Sequence, residues 1–331
     1  MTNEQKNNLP PVVIIHGMWS TADTLTEIKP SFEQAGYLTH TPGLPLHLPK
    51  NQLDASQRTT LGKLSFQDYI KSLEEFMATL DQPPILVGHS MGGLLAQLIA
   101  AKFQCKKLIL ISSAPPAGFN TWHWSVMRTF GHNLFKFPLW RSTTNLLLKN
   151  IRYGIANSQS ADIHREISQN STFESGMASW QLSMWFLYRR PPTKVEYDKI
   201  KCPILIIGGT EDKITPLKIQ LKLAQKYADR ATLEVITGAC HWTIGGSHFP
   251  KIKQILWERW APKLLEDGLF VKVLVMISSS GDFDYRIIKY SNDVRFDESL
   301  KEFLESQKNK TFPTHKINTK VDIIINFKSE G

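Results

Sequence analysis

Short apolar runs without alternation punctuate the first 210 residues: Val12-Val13-Ile14-Ile15, Ile85-Leu86-Val87, the stretch Lys107 to Ser112 and Cys202-Pro-Ile-Leu-Ile-Ile, with Thr232 to Ile236 read as the last core strand. Runs of this kind predict strands buried on both faces. Between them the apolar positions recur at helical spacing, as in Leu25 to Ala35, Ser65 to Leu80, Leu94-Leu95…Leu98-Ile99 and Pro216 to about Tyr227. The second of these opens with the capping-box pattern Ser65-x-x-Asp68. Tyr37 to His40 adds a short strand, and Pro250 to about Trp260 a final helix. Strand–helix alternation predicts an α/β fold with a mostly parallel sheet flanked by helices, wound through right-handed crossovers.

The alternation stops between Pro115 and about Pro192, where aromatic residues recur in a helical pattern with no clear strand. This interval, about residues 115–195, reads as a helical lid inserted over the sheet edge, most of its aromatics packing it onto the body. The first 10 residues form a polar leader, and the main domain runs from 11 to 262. A second pattern fills residues 268–331. Strand-like Leu269 to Ser278 leads through the turn signal Ser279-Ser280-Gly281-Asp282 into a second strand, Phe283 to Tyr290. A helix from Phe296 and a third strand, Val321-Asp-Ile-Ile-Ile-Asn-Phe, complete a small α+β unit of β-β-α-β order.

Composition narrows the partners. The 331 residues are 42% hydrophobic and 21% charged, as in ordinary globular proteins. The net charge of +9 is not gathered into a Lys/Arg block, which argues against nucleic acid and leaves peripheral contact with an anionic membrane open. Cys105, Cys202 and Cys240 lack metal-ligand spacing and read as buried small hydrophobes in a reducing setting. No signal-peptide core and no membrane-spanning apolar stretch is present, so a cytoplasmic location is expected. No metal or cofactor is expected.

The candidate chemistry begins at Gly88-His89-Ser90-Met91-Gly92, directly after a predicted strand and before a predicted helix. A tight strand-to-helix turn strains its central residue, so Gly88 and Gly92 remove the β-carbons that would collide. It also sets Ser90 at a helix N-terminus, where free N–H groups favour a developing anion. A serine hydroxyl needs a base to take its proton and a third group to orient that base. Asp212 and His241 each follow a predicted strand, in the order Ser…Asp…His. Glu211 is an alternative acid and His248 a competing base, while His89, His16 and His47 read as structural or loop residues. After the first strand comes His16-Gly17-Met18-Trp19, where Gly17 permits close backbone approach and the Met18 N–H becomes one candidate half of an oxyanion hole.

Four segments together resemble the α/β-hydrolase family: His16-Gly17-Met18-Trp19, Gly88 to Gly92, Gly209-x-x-Asp212-x-x-x-Pro216 and Gly238-x-x-His241-Trp242. The resemblance covers roughly residues 10–262. It implies Ser90 as nucleophile, His241 as general base and then acid, Asp212 as the orienting acid, and the N–H groups of Met18 and Met91 as the oxyanion hole. Trp19, Trp122, Trp185 and Trp242 are the candidate substrate-binding residues. The expected activity is hydrolysis of a carboxylic ester of an apolar acyl group through an acyl-enzyme. Thioesterase or acyltransferase chemistry would use the same residues, and a non-catalytic scaffold acting through the tail is the alternative from another class. The tail resembles the C-terminal domain of TonB-type energy transducers, on Gly281-Asp282, Phe296-Asp297, Phe312-Pro313 and the closing strand to Phe327. That resemblance implies an exposed strand edge able to pair with a peptide or a second copy.

Overall fold

Six strands form the central sheet of the computed structural model, which describes residues 9–120, 122–134, 136–260, 269–291, 293–308 and 321–328. In chain order they are β1 (Val12–Ile15), β2 (Thr39–His40), β3 (Ile85–His89), β4 (Lys107–Ile111), β7 (Ile204–Gly209) and β8 (Ala231–Ile236). A two-residue ribbon, β5 (Thr143–Thr144) with β6 (Glu174–Ser175), lies between β4 and β7 in sequence. The sheet order is β2-β1-β3-β4-β7-β8, and every pair is parallel.

Every residue of β1, β3, β4 and β7 is buried, which accounts for the unbroken apolar runs. The edge strand β8 is only partly buried and carries polar Thr232 and Glu234. Helix Phe66–Met77 starts at the predicted capping box: Asp68 N–H donates to Ser65 Oγ (3.3 Å), and Ser65 N–H to Asp68 Oδ2 (2.7 Å). Phe66, Tyr69, Ile70, Leu73 and Met77 form its buried stripe. Helix Met91–Ala100 is buried at all ten positions, wedged beneath the sheet's central strands. Because the strands are parallel, the loops after β1, β3, β7 and β8 all emerge at the same carboxyl edge, where ligands bind in folds of this kind.

The segment between β4 and β7 is mainly helical, with helices Trp124–Leu134, Ala161–Asn170 and Gly176–Ser183. The β5–β6 ribbon departs from the strand-free reading. Two residues per strand are too few to register as a hydrophobic pattern. Ile151, Ile155 and Ile167 of this segment pack with Trp19 in a cluster that Met18, Phe130 and Trp242 flank.

The chain divides into two compact units, Met1–Ile252 and Lys253–Gly331. In the second, β9 (Phe270–Ile277), β10 (Phe283–Lys289) and β11 (Val321–Lys328) form an antiparallel sheet of order β10-β9-β11, with helix Val294–Gln307 between β10 and β11 in sequence. Val271, Val273 and Val275 alternate into a small core with Phe283, Phe296, Leu300 and Leu304. The first eight residues of the polar leader and the Phe312-Pro313 pair lie outside the described residues. Among the described residues, no helix is long and apolar enough to cross a membrane.

Candidate active site

Ser90 sits between β3 and helix Met91–Ala100 at φ 56°, ψ −122°, a conformation that strains any residue with a side chain. Its surroundings hold it there. Ser90 N–H donates to Ile111 O (3.1 Å), and Ser90 O accepts from Gly93 N–H (3.0 Å) and Ala114 N–H (2.8 Å). The flanking glycines are sterically required. A β-carbon on Gly92 would lie 2.0 Å from Ile15 O, and one on Gly88 would lie 2.2 Å from Gly92 O.

His241, in the loop after β8, brings Nε2 to 2.9 Å from Ser90 Oγ, while Nδ1 lies 2.9 Å from Asp212 Oδ2. The carboxylate can only accept, so Nδ1 carries the proton and Nε2 is free to accept from the Ser90 hydroxyl. Asp212 takes four donors: Ile214 N–H and Thr215 N–H on Oδ1 (both 2.8 Å), and Thr215 Oγ1–H (2.8 Å) and His241 on Oδ2. Burial opposes its ionisation, but His241 and the hydrogen bonds outweigh burial and hold the carboxyl below the usual carboxylate range.

His89 donates Nε2–H to the His241 carbonyl (2.9 Å) and so fixes the backbone that carries the imidazole. Burial first, then the neighbouring His241, lowers its pKa to about 3 and keeps it neutral. The alternatives fall away from Ser90. Glu211 is exposed, and its backbone bonds to Ala239 and Asn157. His248 bonds Ser158 Oγ (2.8 Å) and does not line the cavity above Ser90.

That cavity has a volume of about 160 Å³ and is lined mainly by apolar side chains, among them Met18, Trp19, Trp122, Phe130, Leu182 and Trp242, with Ser90 and His241 on its wall. Of the four tryptophans named from the sequence, Trp19, Trp122 and Trp242 line this cavity. Trp185 does not. Its indole N–H donates to Phe119 O (3.1 Å), and the side chain is absent from the cavity lining, so its polar tip ties the segment down.

The Met18 N–H has no hydrogen-bond partner among the described residues. Met91 opens its helix, where N–H groups lack intrahelical partners. A β-carbon on Gly17 would lie 3.0 Å from Ser90 Cβ, so this loop runs directly against the serine. His16, expected as a loop-ordering residue, and His47, expected as a loop residue, are both fully enclosed, and His47 is paired with Glu174. Sequence reasoning missed Glu174. An isolated acidic residue between Phe173 and Ser175 carries no local sign of burial.

Residues 12–250 match the profile of the Alpha/beta hydrolase family. The chain belongs to the α/β-hydrolase family. Residues 247–328 match a second profile, TonB C terminal. Methylesterase 7 of Arabidopsis thaliana is 33% identical over 110 residues, 32% of this chain and 40% of its own length. The chain thus spans 40% of the length of the curated relative it matches. Among solved structures, a methylesterase protein from Arabidopsis is similar at a TM-score of 0.56 and 18% identity, over 75% of this chain and 98% of that one. A monoacylglycerol lipase from Paleococcus ferrophilus gives 0.55 and 18%, over 75% and 94%. Tomato Methylketone Synthase I, complexed with 2-tridecanone, gives 0.56 and 17%, over 75% and 96%. At these identities the likeness is one of fold.

Proposed function

We propose that this α/β-hydrolase is a serine hydrolase of carboxylic esters with an apolar acyl group. The observation that carries the reading is the Ser90–His241–Asp212 chain, with both links at 2.9 Å, opening onto an apolar cavity. Ser90 Oγ attacks the ester carbonyl as its proton passes to His241 Nε2. The oxyanion is met by the N–H groups of Met18 and Met91, each such donor being worth ~10²–10³ in turnover. Collapse expels the alcohol, which takes the proton from His241, and leaves an acyl group on Ser90. Water then enters, His241 takes its proton, and the acid is released. Asp212 stabilises the imidazolium that forms in both halves.

Apolar walls favour a neutral, hydrocarbon-rich acyl group. The lipase neighbour and the neighbour solved with 2-tridecanone favour the same reading, and the methylesterase relative favours ester hydrolysis. The insertion acts as a lid, and the exposure of Trp124 (78%), Phe137 (87%) and Phe186 (55%) on it favours contact with an apolar or membrane surface during substrate capture. Three free cysteines fit a cytoplasmic setting. In the second unit, β10 and β11 are the outer strands of the sheet, and either offers an edge to an added peptide strand.

The test is labelling by a fluorophosphonate, compared between the wild type and Ser90→Ala, followed by p-nitrophenyl esters of graded acyl length. Labelling of the wild type alone, with turnover that rises with chain length, is expected. An unlabelled wild type ends the hydrolase reading, and indifference to chain length ends the apolar one.

A further inference from the structure

The mechanism leaves unused a group of polar residues buried behind the His16–Trp19 loop. Glu174, on β6, is fully buried and accepts three hydrogen bonds: from Tyr69 Oη–H (2.7 Å) and Ser175 N–H (2.7 Å) on Oε1, and from His47 Nε2–H (3.0 Å) on Oε2. The other nitrogen of His47, Nδ1, faces Pro45 O at 3.1 Å. Both of its partners can only accept, so both ring nitrogens carry protons and His47 is an imidazolium. A buried ion pair thus joins the inserted segment to the loop after β2. Burial opposes the charge on each group, but each partner outweighs burial for the other: the carboxyl lies below its usual range and the imidazole above.

The His47 ring packs against His16, with centroids 5.2 Å apart. His16 Nε2 accepts from Leu44 N–H (3.3 Å), so its proton sits on Nδ1, which donates to Gly17 O (2.9 Å). Burial and the neighbouring His47 charge lower the His16 pKa to about 3, so this tautomer persists. In a trans peptide the carbonyl and the next N–H point in opposite directions. Holding Gly17 O on the His16 side therefore turns the Met18 N–H the other way.

The far end of the same loop is gripped by the same ribbon. Trp19 has φ 58°, a left-handed conformation unusual for a bulky residue. Its indole N–H donates to Thr144 Oγ1 (3.1 Å), and its carbonyl accepts from Thr172 N–H (2.8 Å). Thr144 pairs with Glu174 across the β5–β6 ribbon.

We propose that the β5–β6 ribbon, through Glu174 and Thr144, positions the His16–Trp19 loop so that the Met18 N–H faces the oxyanion. This rests on the hydrolase reading above. Glu174 lies off the cavity and acts through His47 and His16; Thr144, whose side chain also forms part of the cavity wall, acts through Trp19. Both are positioning residues. The base of the insertion is accordingly a fixed part of the reaction centre, and any opening of the lid is confined to its rim.

Glu174→Gln tests the inference. The amide can keep Tyr69 and Ser175 on its oxygen but turns an N–H toward His47 Nε2, which can accept it only by giving up its proton, so the ion pair that ties the ribbon to His47 and the charge beside His16 are both lost. Two ligands separate positioning from general stability: a trifluoromethyl ketone, which adds Ser90 Oγ to its carbonyl and places an alkoxide in the oxyanion hole, and its unfluorinated ketone, which binds without adding. With Glu174→Gln, affinity for the trifluoromethyl ketone and the rate of phosphonate labelling are expected to fall about ten- to hundredfold, within the range for a misdirected oxyanion donor. Affinity for the plain ketone should stay within about twofold. Thr144→Val is read the same way and carries the test alone if Glu174→Gln does not fold. Equal loss for both ketones, or loss for neither, overturns the inference. A wild type that reacts with neither phosphonate nor trifluoromethyl ketone overturns the hydrolase reading, and this inference with it. A reactive wild type beside unaffected variants overturns this inference alone.

Discussion

Asp212→Asn is the sharpest probe of how the reaction centre works. The substitution is nearly isosteric, and the outcome follows from which way the new amide must point. Asp212 Oδ1 holds two backbone donors, Ile214 N–H and Thr215 N–H, both at 2.8 Å. Neither can turn away, so the amide oxygen takes that site and the NH2 group takes the place of Oδ2. There it meets the Thr215 hydroxyl and the His241 Nδ1–H. Thr215 can adjust by donating to Ser112 O, already at 3.0 Å, and accepting from the amide. His241 has no such freedom. Its Nδ1 must lose its proton to accept, which moves that proton to Nε2, the atom 2.9 Å from Ser90 Oγ. A protonated Nε2 cannot take the serine proton. The same tautomer error in a serine protease costs about 10⁴ in kcat, or ~5 kcal/mol of barrier at about 1.4 kcal/mol per tenfold. Burst kinetics with p-nitrophenyl esters measure it. kcat is expected to fall by about 10⁴ with KM little changed, since Asp212 faces away from substrate, while Glu211→Gln serves as an unaffected control. An Asp212→Asn enzyme within tenfold of the wild type would refute the reasoning.

Two further predictions follow from the buried histidines and the aromatic walls. His16 and His89 are held neutral with pKa values of about 3 against an ordinary 6.5. Below pH 6.5 the unfolded chain binds protons that the native state refuses, so stability falls as pH drops, by roughly 1.4 kcal/mol per pH unit per histidine. Near pH 6.5 the raised His47 offsets part of this slope, because its unfolded imidazole is still gaining the proton that the native one holds, and near pH 4.5 the lowered Glu174 adds to it. Urea midpoints should therefore decline between these two pH values, and a flat profile would contradict the neutral histidines. For the walls, Trp122→Ala should lower kcat/KM for long-chain esters about tenfold more than for acetate, because this side chain lines the cavity. Trp185→Ala should lower the melting temperature through its lost bond to Phe119 O and leave chain-length selectivity unchanged. The reverse pattern would place the acyl chain elsewhere.

Much of the architecture is legible along the chain because its causes are local. Unbroken runs such as Ile204-Leu205-Ile206-Ile207 exist because both faces of a central parallel strand are covered. Gly88 and Gly92 are legible because a tight turn leaves no space for a β-carbon. The small second unit could be read from the alternation of Val271, Val273 and Val275 and from the Gly281 turn. Trp185 lies off the cavity lining and bonds Phe119 O, and its position is not legible in the sequence because an aromatic in an inserted segment looks the same whether it faces a cavity or a carbonyl.

By itself, then, the sequence determined the succession of strands and helices along the chain, the strained turn at Ser90, and the loops in which Asp212 and His241 lie, since each depends on neighbours a few residues away. Only the tertiary structure decided the partnerships across the chain: His47 with Glu174, 127 residues apart, and Trp19 with Thr144, 125 apart. A charge or an indole N–H declares no partner in one dimension. What makes Glu174 ionised and Trp19 tolerable at φ 58° is enclosure by segments that meet only when the chain has folded.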